Sequence, residues 1–255
     1  MTGGLFRLFG ISIHAITPSE AADRVSSWAR GSEQKHIVAA NTHVLMESRR
    51  DPEYRKALEE ASLIVPDGMP LVWMARRKGV PIKQRVYGPD LMADVLKQTS
   101  AGDVRHYFYG GREETLAQLT KKIKTEFPSI AICGYQSPPF RDLTAGEETE
   151  AIERINAARP HILWVGLGCP RQELWISRTR RALRIPVLAG VGQAFDLLSG
   201  SKKRAPKWMQ QNGLEWFFRL CQEPGRLWKR YLIYGPAFIL ACLAEECKRK
   251  GEQGC

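Results

Sequence analysis

Short apolar, β-rich runs recur between amphipathic stretches along most of this chain, and that alternation restricts the fold more than any other feature. The runs are "HIVAAN" (His36–Asn41), "SLIVP" (Ser62–Pro66), "VRHYFYGG" (Val104–Gly111), "SIAICGY" (Ser129–Tyr135), "HILWVGLG" (His161–Gly168) and "IPVLAGVG" (Ile185–Gly192). Between them lie segments with helical spacing: "HVLMESRRDPEYRKALEEA", interrupted near Asp51-Pro52, "MPLVWMARRKG", ending at Gly79, "REETLAQLTKKIKTEF", stopped by Pro128, "TAGEETEAIERINAARP" and "PRQELWISRTRRAL". Strands that are apolar throughout, rather than on alternate residues, are buried on both faces. The expected fold is therefore α/β: a doubly wound, mostly parallel sheet covered by helices.

In such a sheet, ligands bind beyond the carboxyl ends of the strands. The residues there are Asn41, Asp67-Gly68, Gly110-Gly111, Gly166-Leu167-Gly168 and the stretch from Gly190 to Asp196. Gly110-Gly111 and Gly168 each precede a helix start, where free backbone N–H groups and the helix dipole favour a phosphate, so a nucleoside diphosphate is the expected ligand. The dinucleotide fingerprint is incomplete, because Arg171 stands where a third glycine belongs; this disfavours a nicotinamide-dependent oxidoreductase. Asp67 follows a buried strand in a Pro-Asp-Gly turn. It is either a residue orienting the next helix or a general base at the mouth of the crevice. Arg85 and Asp90, in "QRVYGPDL", are read as a salt-bridged turn or as substrate contacts. The five histidines have no zinc spacing, and no Asp-x-Asp diphosphate–metal motif occurs, so no metal is expected.

After about Gly200 the pattern changes. From Lys202 to Lys250 there are eleven Lys/Arg against four Glu, out of a net charge of +11 for the chain. This places a core at residues 1–204 and a basic, aromatic, helical appendage at 205–255. The uncharged run "YLIYGPAFILACLA" (Tyr231–Ala244) is too short to span a bilayer, which takes roughly 20 apolar residues. Flanked by Arg226, Lys229 and Arg230 and by Lys248-Arg249-Lys250, it reads either as an interfacial segment on an anionic membrane or as an apolar face docked on the core or on a second copy. The long aliphatic block argues against nucleic acid. Six scattered cysteines without a CxxC pair suit free thiols in a reducing cytosol, and "MTGGLFRLFG" is too short an apolar run for a signal peptide. The expected location is therefore cytosolic, with the appendage at an anionic membrane surface. A non-catalytic nucleotide- or lipid-binding module is the rival to an enzyme.

Five longer motifs carry a resemblance: "NTHVLMESRRDPEYRKALEEASLIVPDGMPLVW", "RVYGPDL", "VGLGCPRQELWI", "GVGQAFDLLSG" and "RAPKWMQQNGLEWFFRLCQEPGRLWKRY". From about Gly10 to Tyr231 the chain resembles the bacterial WecG/TagA/CpsF glycosyltransferases. The resemblance implies a Rossmann-like core and inverting, metal-independent transfer of a hexose, of glucose or N-acetylmannosamine type, from a UDP-sugar. The implied acceptor is a polyprenyl-diphosphate-linked glycan, which places the protein in the cytoplasm, peripheral on the inner face of the bacterial cell membrane. Asp67 matches the family's proposed base; Asn41, Gly68, Arg85, Gly110, Gly111, Gly168, Gln172 and Asp196 are then the donor contacts. Arg219, Arg226, Lys229 and Arg230 of the appendage are implied to reach the acceptor or its diphosphate. Ala39 departs from the threonine that many members carry two residues before the asparagine, although Thr42 follows it. The "DGMP" turn looks closer to glucosyl-transferring members.

Overall fold

The computed structural model describes residues 4–253, with Gln211 and residues 248–253 described by backbone alone. Lys248-Arg249-Lys250 therefore lie outside the described side chains. A short antiparallel hairpin comes first, β1 (Leu5–Leu8) with β2 (Ile11–His14). Then follow α1 (Pro18–Ala29), β3 (Lys35–Ala40), α2 (Thr42–Ser48), α3 (Pro52–Glu59), β4 (Leu63–Pro66), α4 (Met69–Arg77) and α5 (Gly88–Gln98). The second half runs β5 (Arg105–Gly110), α6 (Glu113–Glu126), β6 (Ala131–Gln136), α7 (Ala145–Ala158), β7 (Ile162–Gly166), α8 (Arg171–Thr179), β8 (Val187–Gly190) and α9 (Ala194–Ser199). The appendage comprises α10 (Lys207–Gln211), α11 (Glu215–Gln222), α12 (Pro224–Trp228), a π-helical turn at Lys229–Ile233 and α13 (Tyr234–Gln253).

Six strands form one parallel sheet in the order β4-β3-β8-β7-β5-β6. Successive side chains of each strand point to opposite faces, and each face is covered. Ile37, Leu63, Val65, Phe108 and Trp164 pack under α1, α5, α6 and α9. On the other face Val38, Ala40 and Ile64 meet α2, α3, α4 and the hairpin, while Tyr109, Leu163 and Val165 meet α7 and α8. The expected doubly wound α/β architecture is what the chain adopts. Capping follows local sequence: Thr17 and Thr144 close capping boxes with Glu20 and Glu147, and Asp51 accepts from the first turn of α3 ahead of Pro52.

The appendage turns back onto the core. Phe238 and Cys242, one turn apart on α13, are buried in the same apolar cluster as β3, β4 and the hairpin. Phe238 stands edge-on to Phe9 at 5.7 Å, and Glu245 accepts from the Phe9 backbone N–H at 3.2 Å. Ile239, Leu240 and Leu243 lie on the same helix and are exposed. The apolar run at Tyr231–Ala244 is thus docked on one face and open on the other. No helix among the described residues is long and apolar enough to cross a membrane.

Candidate active site

A cleft of about 580 Å³ opens between the carboxyl ends of β3 and β4 and the appendage. Its floor is set by two strand ends. β4 runs into Pro66, and the Asp67 N–H donates to Ala40 O at 2.7 Å, so the turn is held by the neighbouring strand. The chain returns after α4 with Val86 N–H donating to Pro66 O (2.9 Å), which sets Arg85, Tyr87 and the start of α5 beside Asp67.

The half-buried Asp67 carboxylate then caps a helix from outside. Oδ1 accepts from Gly88 N–H at 2.9 Å, the first amide of α5, whose N-cap residue Tyr87 supplies no side-chain cap. Oδ2 has only a long contact from Asn41 Nδ2, 3.4 Å. Burial pushes the Asp67 carboxyl above the usual range, while Arg85, the Gly88 amide, Asn41 and Arg219 pull it back. Oδ2 is therefore the freer oxygen, on a group made more basic than a solvated aspartate.

Asn41 is committed locally. Its Oδ1 accepts from His43 and Val44 N–H at the start of α2, which leaves Nδ2 for Asp67. Gly68 lies beside it, at the N-cap of α4. Arg85 stacks on the Tyr87 ring (4.4 Å to the centroid) and donates to Glu215 of α11, a residue only 5% exposed. Arg204 covers the same ring at 5.2 Å and pairs with Asp90 through two hydrogen bonds. Arg85 and Asp90 thus do not pair with each other: Arg85 is bound to Glu215 of the appendage and Asp90 to Arg204 at the end of the core.

The opposite wall carries Arg219 and Arg230, both partly buried, each about 6 Å from the Tyr231 ring (6.0 and 5.9 Å). Among the described residues neither has a carboxylate partner. The acid whose charge they feel is Asp67 across the cleft, and two guanidinium groups against one carboxylate leave a net positive site for an anion. The other two expected cations lie outside it. Arg226 is held by Glu223, and Lys229 lies over Trp228 at 5.5 Å; both are exposed.

The remaining expected donor residues share the carboxyl edge but do not line this cleft. Gly110 and Gly111 turn the chain with φ of +115° and +75°, and a Cβ on Gly110 would sit 2.6 Å from the Gly166 carbonyl carbon. Gly168, with φ +79°, faces open space. Asp196 is paired with Lys202 at 2.7 Å. Gln172 is buried, and its amide clips two loops together. Oε1 accepts from Gly168 N–H (3.2 Å) and Gly192 N–H (3.0 Å), and Nε2 donates to Glu173 Oε1 (2.7 Å). With Oε1 and Nε2 both engaged, Gln172 positions these loops and does not itself reach into the crevice. Glu173 is fully buried and also accepts from Tyr54 OH at 3.2 Å; burial pushes its carboxyl up to about 7 against those hydrogen bonds.

Sequence reasoning missed Glu215, Tyr87, Tyr231 and the Tyr54–Glu173 pair. Only Glu215 left a signal, as a lone acid in the basic, aromatic stretch "NGLEWFFRL".

The WecG/TagA/CpsF glycosyl transferase family model matches residues 6–252. The chain is 34% identical over 210 residues to the N-acetylglucosaminyldiphosphoundecaprenol N-acetyl-beta-D-mannosaminyltransferase of Bacillus spizizenii, covering 82% of this chain and 79% of that protein. It is 33% identical over 214 residues to the Bacillus subtilis enzyme of the same name, covering 84% and 81%. An acid at a strand end, an unpaired arginine couple opposite it and matches across most of both lengths converge: this chain is a glycosyltransferase and belongs to the WecG/TagA/CpsF family.

Proposed function

We propose that the protein transfers a hexose from a UDP-sugar, with inversion and without a metal ion, to a sugar hydroxyl on a polyprenyl-diphosphate-linked acceptor. The reading is carried by one observation: the freer oxygen of Asp67 and the Arg219–Arg230 couple, which no carboxylate contacts closely among the described residues, share a single cleft. Asp67 Oδ2 takes the acceptor hydroxyl proton as that oxygen bonds to the anomeric carbon. The bond from this carbon to the UDP phosphate oxygen breaks on the opposite side, and UDP leaves with the electron pair. Charge building on the departing diphosphate is met by guanidinium groups in a partly dry site, where fixed cations act more strongly than in water. Gln172 holds the glycine loops after β7 and β8 in register for the donor, so that geometry need not be created on binding.

The relatives' names make N-acetylmannosamine the first sugar to test and an N-acetylglucosaminyl diphosphate lipid the first acceptor; the Asp-Gly-Met-Pro turn keeps glucose in the panel. The exposed face of α13 and the basic appendage support work at the cytoplasmic membrane surface.

The test is UDP release from a panel of UDP-sugars in the presence of EDTA, with and without acceptor. Acceptor-dependent release from one sugar, undiminished by EDTA, is expected. Loss of turnover in EDTA with recovery on adding a divalent ion would remove the metal-free step. Nucleotide binding without release from any sugar would favour the binding-module reading.

A further inference from the structure

The cleft has a second arm that the transfer chemistry leaves unused. Beyond Asp67 it runs between α4 and α13, walled by Pro70, Trp73 and Met74 on one side and by Pro236, Ile239 and Leu243 on the other. Phe238 and Cys242, both buried, also line it. From Gly235 to Leu243 the helix rises about 12 Å along this arm.

The wall chemistry narrows the occupant. A nucleotide or sugar needs hydrogen-bond partners, and these side chains supply almost none. Pro70 stands in the first turn of α4, where free N–H groups would otherwise attract a phosphate; proline removes a donor there. Arg77, at the edge of the arm, is bound to Glu246 at 2.8 and 2.9 Å. The arm is thus apolar, yet it is continuous with the cationic end formed by Arg219 and Arg230. Its outer rim, with Trp73 52% and Ile239 60% exposed, passes onto the open face of α13.

We propose that this α4–α13 arm seats the prenyl chain of the lipid-diphosphate acceptor nearest its diphosphate; the proposal rests on the transfer reading above. A chain anchored there brings its diphosphate to the cationic end, where Arg219 and Arg230 serve it as well as the departing UDP, and the sugar beyond it to Asp67. A prenyl chain moving from bilayer hydrocarbon into an apolar groove gains little free energy, so the arm sets register more than affinity. A short chain arriving from water is different, since each buried methylene is worth about fourfold in affinity.

The experiment uses the full chain and N-acetylglucosaminyl diphosphate esterified to prenyl chains of increasing length, each below its aggregation concentration and without membranes. KM should fall at least tenfold along the series at nearly constant kcat. Ile239→Asn, at an exposed position, should flatten the series. Leu240→Asn, one residue on and outside the arm, should keep the wild-type dependence, with thermal melts verifying that both variants are folded. Transfer with a KM independent of chain length overturns the arm while sparing the glycosyltransferase reading. Equal loss of the dependence in both variants points to a general apolar face and also overturns it. Dimerisation in sedimentation that Ile239→Asn abolishes, without chain-length dependence, assigns the arm to a second copy. Transfer to no acceptor in the series removes the function reading and this proposal together.

Discussion

Asp67 and Glu173 are both acids whose carboxyls burial raises, and they sit on the same protein for different ends. Asp67 is tied through one oxygen to the first amide of α5 and keeps the other oxygen for the cleft. Glu173 has both oxygens occupied, by Gln172 and Tyr54, and no exposure at all. A raised pKa therefore does not identify a base: access to an uncommitted oxygen does. The first acid can accept a proton from a substrate; the second can only hold its neighbours.

The largest expected effect comes from removing the reactive oxygen. Asp67→Asn should lower kcat by about a hundredfold to ten-thousandfold, the usual worth of a positioned base. The same variant should be more heat-stable than the parent at neutral pH. The folded state raises the pKa of Asp67, so the cost of ionising it is absent below the unfolded pKa and grows as pH rises through the folded one. The gain should vanish in acid. A lower melting temperature at pH 7, with activity retained, would make Asp67 a structural anchor and erase the contrast.

Glu173 should divide its two variants. In Glu173→Gln an amide oxygen still accepts from Gln172, and the expected result is activity within a few-fold of the parent. Its stability should lose the decline that the native acid imposes as pH rises from about 4.5 to about 7. In Glu173→Ala the Gln172 amide loses its acceptor, and the Gly168 and Gly192 loops lose their clip; donor KM should rise about tenfold with kcat less affected. If Glu173→Gln abolished turnover as Asp67→Asn does, Glu173 would belong to the chemistry. The smallest effect is expected from Tyr54→Phe, which deletes one hydrogen bond to Glu173. About 1 kcal/mol of stability should be lost, and activity should stay within about threefold.

How legible each acid was follows from the kind of contact that makes it matter. Asp67 could be read because a strand end and a Pro-Asp-Gly turn are local features, and strand ends converge in a parallel sheet. The six strands were equally plain. The hairpin at Leu5–His14 was not, since its strands are only four residues each; helices α1 and α5 left readable signals, the Thr17-Pro18-x-Glu20 capping box and the spacing of Leu91, Met92, Val95 and Leu96, that the strand alternation did not draw in. Gln172 was assigned to the donor from its motif, but its side-chain direction depends on Gly168, Gly192 and Glu173, which only the folded loops bring together. The Arg85–Glu215 pair spans 130 positions, and nothing near either residue announces it. Among the four basic residues of the appendage, sequence could not separate Arg219 and Arg230 from Arg226 and Lys229. Successive short helices reset the facing of each. The apolar run of α13 was legible as amphiphilic but not as two-faced, because Phe238 and Cys242 share one side and Ile239 and Leu243 the adjacent one.

The placing of the tryptophans has an optical consequence. Trp73 and Trp216 line the cleft and are half-exposed, whereas Trp164 and Trp175 are sealed in the sheet layers. Light emitted by the first pair depends on the water in the cleft, and that of the second pair does not. A blue shift on adding nucleotide-sugar would thus read occupancy of the cleft over the emission of the buried pair and of Trp208 and Trp228, which are exposed outside it, and the chain needs no attached dye to be titrated.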